Sequence, residues 1–420
     1  MMRGQRPAGA RCRRALCLLV TAIVAFSWAA QAEETLQGPQ LDPQKLERVS
    51  DYLRGEVSAG RIPGAILLIQ QRGKPVVYAK FGMRNARMRQ PMTDDTIFRL
   101  YSMSKPITSV AAMMLVDDGK LALDDPVAKY IPAFADVKVA VETSNGRLAL
   151  VPPVRPITIL DLLRHTSGIT YGFYGDTAVR KLYAVAGLFD GDPDNAQVIE
   201  RLARLPLAEQ PATLWDYGHS TDVLGRVVEI VSGKSLYGFE KERLLDPLGM
   251  HDTAFFVADD AKRPLIAEPL SDDWFDRPVA GITEATAPRR WESGGAGMVG
   301  TIGDYARFVQ MLLSGGELDG RRYLRRETVA LMTTDHIGPA SGIARDPEFD
   351  FPGPESGFGL GFAVQKPPLP AGEYRWDGVG GTFFFVDPAD DLFVICLMQA
   401  PAQRGRIQTD VKRLVHQALR

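Results

Sequence analysis

Cysteine is almost missing from this chain. Its 420 residues include three cysteines. Cys12 and Cys17 lie in the first stretch, and only Cys396 lies in the body of the sequence. A lone cysteine cannot build a disulfide framework, so the fold must rest on its apolar core. Cys396 sits within Leu392-Phe-Val-Ile-Cys-Leu-Met398, which reads as a buried strand thiol rather than a nucleophile. Histidine is scarce too: there are five, scattered along the chain. No Cys/His cluster has zinc spacing and no His-Glu-x-x-His occurs, so metal catalysis is not expected and no cofactor is called for. An excess of one charge is also absent: 49 Lys and Arg face 51 Asp and Glu, a net charge of -2. That excludes the basic footprint of a nucleic-acid binder. Finally, no serine stands in Gly-x-Ser-x-Gly, and His416 falls on a terminal helix, which argues against an α/β-hydrolase elbow.

What is present begins with a leader. Arg3, Arg6, Arg11, Arg13 and Arg14 precede an apolar run, Leu16 to Ala29, and then Ala30-Gln31-Ala32. A basic n-region, a short apolar h-region and a small-x-small site make residues 1–32 a cleavable signal peptide. The run is too short for a stable membrane span, although an uncleaved anchor is the alternative. Export to the periplasm or medium is the expectation.

The body then reads as strands, helices and strands again. An amphipathic helix spans about Pro43 to Ala59. Gly64 to Gln70 and Pro75 to Lys80 read as strands around a turn at Gln71-Arg72-Gly73-Lys74. A helix is predicted from about Ser102 to Asp118, and others at Ile157–Leu163, Asp194–Ala203 and Ser220–Val231. Phe358–Val364, Gly381–Val386 and Leu392–Met398 read as strands, Pro367-Pro368-Leu369-Pro370 as a stiff loop, and Arg406 to Leu419 as a closing helix. The fold class is therefore α+β: one antiparallel sheet assembled from both chain ends, with terminal helices, and a mostly helical lobe. The sheet lobe takes about 40–100 and 300–420, and the helical lobe about 101–299.

Ser102-Met103-Ser104-Lys105 is the pattern that carries chemistry. Residues three apart share a helix face, so the two ends of Ser-x-x-Lys can meet. A helix N-terminus favours developing negative charge, and a partly desolvated lysine loses its proton readily enough to act as a base. The bland alternative is a serine cap beside a solvated lysine. Tyr217, just before a helix, can take and return protons if a nearby ammonium lowers its pKa from about 10. Glycines in Trp376-Asp-Gly378-Val-Gly-Gly-Thr382 let backbone N–H groups approach a ligand.

Together these motifs resemble the serine β-lactamase-like family of class C β-lactamases, D-alanyl-D-alanine peptidases and family VIII carboxylesterases. Ser102-Met-Ser-Lys105 matches its first motif, Tyr217-Gly-His219 stands at its Tyr-x-Asn, and Trp376-Asp-Gly378 stands at its Lys-Thr-Gly. Leu163-Arg-His-Thr-Ser-Gly168, Asp246-Pro-Leu-Gly-Met250, Gly294-Gly-Ala-Gly297 and Gly357-Phe-Gly-Leu-Gly361 follow in family order, covering nearly all of residues 33–420. The resemblance implies a penicillin-binding-protein/β-lactamase-like fold. It makes Ser102 the acylated nucleophile, Lys105 its base partner and Tyr217 a proton relay. It places the oxyanion hole at the N–H groups of Ser102 and Val379, and substrate contacts at His219, Gly295, Trp376, Asp377 and Gly378. His165 would be a structural hydrogen-bonder.

Two departures bear on substrate. Trp376 and Asp377 replace the family's lysine and threonine, of which the lysine attracts a β-lactam carboxylate, and an acidic Asp377 would disfavour an anion. His219 replaces asparagine. The expectation is a Ser-Lys-Tyr acyl-enzyme that hydrolyses or transfers short acyl esters. The alternatives are a β-lactamase or D-alanyl-D-alanine peptidase acting on peptidoglycan-like amides, and a non-catalytic penicillin-fold binding module. The partner is then a small ester or amide; the oligomeric state is open. Tyr171, Phe173 and Tyr174 either line an apolar acyl pocket or pack the lobe.

Overall fold

The computed structural model describes Met1 and residues 39–143, 147–271, 273, 284–345, 353–366 and 372–419. Residues 2–32 of the leader and the Pro367-Pro368-Leu369-Pro370 loop lie outside the described residues.

The first long strand, Gly64–Gln71, pairs antiparallel with the last, Leu392–Met398, in register from Ala65↔Met398 to Gln71↔Leu392. This pairing joins the two ends of the chain at the middle of an eight-stranded sheet. The sheet order is Ser356–Phe358, Ala363–Gln365, Tyr374–Asp377, Phe383–Asp387, Leu392–Met398, Gly64–Gln71, Lys74–Asn85 and Gln90–Pro91. Successive side chains of a strand point to opposite faces. Ala65, Leu67 and Ile69 accordingly join Leu46, Val49 and Leu53 of the first helix and Ile407, Val411 and Val415 of the last in one apolar layer. Ile66 and Leu68 point into the larger core with the helices of the middle segment. Both faces are covered, which is why these strands read as continuous apolar runs rather than alternating ones.

The first helix, Pro43–Ser58, starts where Asp42 accepts the Gln44 N–H and Pro43 fills the first turn. The hairpin turn is tighter than expected. Only Arg72 and Gly73 lie outside the two strands, both at positive φ (53° and 71°), the conformation a two-residue turn needs to match strand twist. Phe358–Val364, expected as one strand, is a reversal between two short ones, Ser356–Phe358 and Ala363–Gln365. The reason lies in its glycines. A Cβ on Gly359 would come within 2.0 Å of the Met332 carbonyl oxygen, and one on Gly361, at φ +96°, within 2.4 Å of Ser109 Oγ. The closing helix, Arg404–His416, begins and ends earlier than expected.

Two helices position the site. Ser104–Asp117 has every side chain from Ser104 to Leu115 buried, as expected of a helix with no consistently polar face. Against it packs Ser220–Ser232, which Gly233 ends in the left-handed region at φ 70°. Among the described residues no helix is long and apolar enough to cross a membrane. The core that holds this arrangement includes Phe384, fully buried, with its ring 5.3 Å from that of Tyr305. Phe384→Ala should cost about 3–5 kcal/mol, read as a lowered urea midpoint at unchanged m-value.

Candidate active site

Ser102 does not sit on the long helix itself. It occupies a 3-10 turn, Tyr101–Met103, that runs directly into Ser104–Asp117. Side chains three apart are eclipsed in such a turn, so Ser102 and Lys105 still share a face. The turn is held from all sides. Ser104 Oγ donates to the Tyr101 carbonyl (2.7 Å) and accepts from Met298 N (3.0 Å), and Tyr305 Oη donates to the Met103 carbonyl (3.0 Å). Tyr101 has φ +48°, a strained value for a non-glycine residue immediately before the candidate nucleophile.

Lys105 is buried, with 1% of its surface exposed. Its Nζ lies 2.7 Å from the Gly295 carbonyl, 3.2 Å from Tyr171 Oη and 3.3 Å from Ser102 Oγ. Burial pulls its pKa down to about 7, against the opposing pull of Asp222 and then Asp377. A neutral amine has two N–H donors and one lone pair. With Gly295 O and Tyr171 Oη taking the donors, the lone pair is left for the Ser102 hydroxyl. Tyr217 Oη donates to the same Ser102 Oγ at 2.7 Å. Burial holds the Tyr217 phenol well above its usual range, with the neighbouring Tyr174 adding to the effect and the Ser102 bond opposing it. This reverses the sequence-based expectation. The nearby lysine does not produce a tyrosinate, and Tyr217 stands as a protonated phenol.

The remaining candidates divide. Gly295 is near the serine, but its carbonyl anchors Lys105. Trp376, expected against substrate, is fully buried, its ring 5.5 Å from Tyr217 and 5.3 Å from Phe358, both edge-on. It serves as the wall behind the tyrosine. Asp377 is buried as well, and Arg375 Nη1 lies 4.0 Å from its carboxylate. Burial raises the Asp377 pKa, while Arg375 and Arg404 oppose the rise. Arg375 and Arg404 therefore offset part of its charge, which weakens any repulsion of an anionic substrate. Gly378 and Gly380 bring the turn around Val379 against the nucleophile segment: a Cβ on Gly378 would lie 2.3 Å from the Leu100 carbonyl oxygen, and one on Gly380 2.5 Å from the Tyr101 ring. Only glycine permits that approach. Gly378 N donates to Thr382 O at 2.7 Å and fixes the turn.

His165 accepts from Asp216 N through its backbone carbonyl at 2.9 Å, whereas its Nδ1 has no hydrogen-bond partner among the described residues and its ring packs 4.9 Å from that of Tyr217. Burial, then the charge of Lys105, keeps its pKa well below 6.5. His219 is buried and engaged, Nδ1 3.0 Å from Asp222 Oδ2. Tyr171 is both wall and ligand of the lysine, with Phe173 stacked on it at 4.6 Å. Sequence reasoning missed the Tyr171–Lys105 contact and Asp222 altogether. The three-residue spacing of His219 and Asp222 at a helix start was a usable signal for the second. None existed for the first.

The beta-lactamase family model matches residues 48–417 of this chain. Protein Rv1367c of Mycobacterium tuberculosis is 36% identical over 362 residues, spanning 83% of this chain and 88% of that protein. Esterase EstB of Burkholderia gladioli is 31% identical over 365 residues, spanning 80% and 86%. Among solved structures, EstCE1, described as a hydrolase with promiscuous acyltransferase activity, superposes with a TM-score of 0.75 at 29% identity, covering 89% of this chain and 99% of its own.

Proposed function

The chain belongs to the beta-lactamase family and is a serine hydrolase of that fold, and we propose that it is an exported enzyme hydrolysing or transferring short acyl esters through an acyl-enzyme on Ser102. The observation that carries this reading is the geometry at Lys105. Both donors of the neutral amine are engaged, and its lone pair faces Ser102 Oγ, which already accepts from Tyr217.

In the proposed sequence the Ser102 proton passes to Lys105 Nζ as Oγ attacks the ester carbonyl carbon. Negative charge gathers on the carbonyl oxygen, where the N–H groups of Ser102 and Val379 would receive it. The first N–H groups of a helical turn have no partner within the turn, which suits Ser102 N to this role. Collapse breaks the bond to the leaving oxygen. Tyr217 gives its proton to that oxygen and is reprotonated from Lys105, which restores the neutral amine. Water, or an acceptor alcohol, repeats the steps on the acyl-enzyme.

Ester is preferred to β-lactam because no lysine stands on the Tyr374–Asp377 strand to hold a carboxylate, and Trp376 fills that place with an apolar ring. The names of EstB and EstCE1 agree with this preference. Residues 1–32 are read as the export signal, giving a periplasmic or secreted enzyme.

The test compares p-nitrophenyl butyrate, nitrocefin and a D-Ala-D-Ala peptide. The ester should give the highest kcat/KM by at least about tenfold, a transition-state difference near 1.4 kcal/mol. A fluorophosphonate should add its mass to the Ser102 peptide. Faster turnover of nitrocefin or of the peptide would overturn the substrate reading; labelling at another residue would overturn the nucleophile.

A further inference from the structure

His219 stands where the family motif has asparagine, and two contacts of its ring, with Asp222 and with Tyr171, lead toward Lys105. We propose that His219 is a positioning residue that holds Lys105 by two routes: through Asp222 and the Gly295 peptide, and through the ring of Tyr171. The inference rests on the reading of Lys105 as the base.

The first route is a chain of hydrogen bonds. His219 Nδ1–H donates to Asp222 Oδ2 at 3.0 Å. Asp222 Oδ1 accepts from Ser293 Oγ at 2.7 Å and from Gly295 N at 3.1 Å. The Gly295 peptide is thereby fixed, and its carbonyl accepts from Lys105 Nζ at 2.7 Å. The approach is close enough that a Cβ on Gly295 would fall 2.9 Å from Asp222 Oδ2. Asp222 lies in the first turn of Ser220–Ser232, where the helix end favours an anion, and it is three residues from His219, one turn along the same face.

The second route is packing. The imidazole stands edge-on to Tyr171, 4.4 Å between centroids and 70° between planes. Tyr171 Oη accepts the other N–H of Lys105, at 3.2 Å. Phe189 backs the imidazole from 5.9 Å and is itself stacked on Trp291 at 4.1 Å. Both acceptors that orient the lysine lone pair are therefore braced by one side chain. An asparagine at this position would offer a polar group but no ring for Tyr171.

The test uses His219→Ala, His219→Asn and the isosteric Asp222→Asn. Three quantities are read: the rate of Ser102 labelling by a fluorophosphonate without an acyl chain, kcat and KM for p-nitrophenyl acetate and butyrate, and the pH profile of kcat/KM. Misplacing the lysine should slow labelling by about 10²-fold in His219→Ala and lower kcat/KM for both esters by the same factor. His219→Asn should not rescue it. The charged and titratable groups facing Lys105 are Asp222, Asp377, His165, Tyr171 and Tyr217. Asp222 favours the lysine cation, so Asp222→Asn should move the acid limb of the profile to lower pH, a change that a purely structural role would not produce. An unchanged labelling rate with KM raised for one ester alone would make His219 a substrate contact and overturn the proposal. So would an unchanged labelling rate in Asp222→Asn, which breaks the route through Gly295, and that variant decides the matter if His219→Ala does not fold. Wild-type labelling at Ser102 is checked first, so a failure of the acyl-enzyme reading is seen separately.

Discussion

Ser102→Ala should lower kcat for p-nitrophenyl butyrate by about 10⁴-fold to 10⁶-fold, the range seen when a hydrolase loses its nucleophile. The substitution removes the one atom on which both Lys105 Nζ and Tyr217 Oη converge. Whatever activity survives would come from water held near the oxyanion donors, which alone supply part of the catalysis in such sites. The fold should persist. Ser102 is half-buried, and the bonds that hold its turn are made by Ser104 and Tyr305, both untouched. The readout is therefore paired: turnover is lost while the circular dichroism spectrum and urea midpoint are kept, and fluorophosphonate labelling disappears. Ester turnover at the wild-type rate would mean that another group is acylated.

The contrast between the two serines of Ser102-Met103-Ser104 shows what a sequence can carry. Helical spacing already selects Ser102, since it is three residues from Lys105 and Ser104 is one. The structure adds that Ser104 Oγ is spent on backbone partners, donating to Tyr101 and accepting from Met298. Strands were legible where apolar runs were continuous, as in Leu392–Met398. Their pairing was not, because nothing in Gly64–Gln71 names a partner more than 300 positions away; the order of elements indicated only that one sheet is assembled from both chain ends. The reversal at Gly359 and Gly361 was missed because its cause, the Met332 carbonyl and Ser109, belongs to other elements. Tyr171 reaches Lys105 across 66 positions, beyond any spacing rule. The protonation of Tyr217 was misjudged for a related reason. Proximity to lysine can be guessed from motifs, whereas the depth of burial that outweighs it is a property of the assembled core.

Burial also changes the substrate argument. The missing third-motif lysine was read together with an acidic neighbour as a field hostile to anions. With Arg375 beside Asp377 and the carboxylate sheltered, the field is closer to neutral. What remains is loss of attraction. Trp376, pressed edge-on against Tyr217, stands where a β-lactamase has a cation, and its buried ring carries no charge to attract a carboxylate. The proposed preference for esters then rests on a missing contact, and β-lactams should be slow substrates rather than excluded ones.

Lys105→Met should lower kcat/KM by about 10²-fold to 10⁴-fold, the usual contribution of a general base, and should also change two pH dependences in wild-type terms that can be stated in advance. Burial sets the lysine pKa at about 7. Only the neutral amine can take the Ser102 proton, so wild-type kcat/KM should rise with pH through about 7 and then level off. The residual activity of Lys105→Met should lack that limb. The same shift enters stability with a fixed sign. The folded pKa lies below the ordinary value of 10.5, so between about 7 and 10.5 the unfolded chain binds more protons than the folded one. Unfolding free energy therefore rises with pH across that window as far as this group is concerned. Methionine cannot titrate, so in Lys105→Met this lysine's share of the rise between pH 7 and pH 9 should vanish, measured as the difference between urea unfolding free energies at the two pH values. A wild-type limb near 10 would mean that the lysine stays charged at neutral pH and that another group takes the proton. Placed at about 7, the limb would tie the activity to the same burial that makes Lys105 costly to fold around.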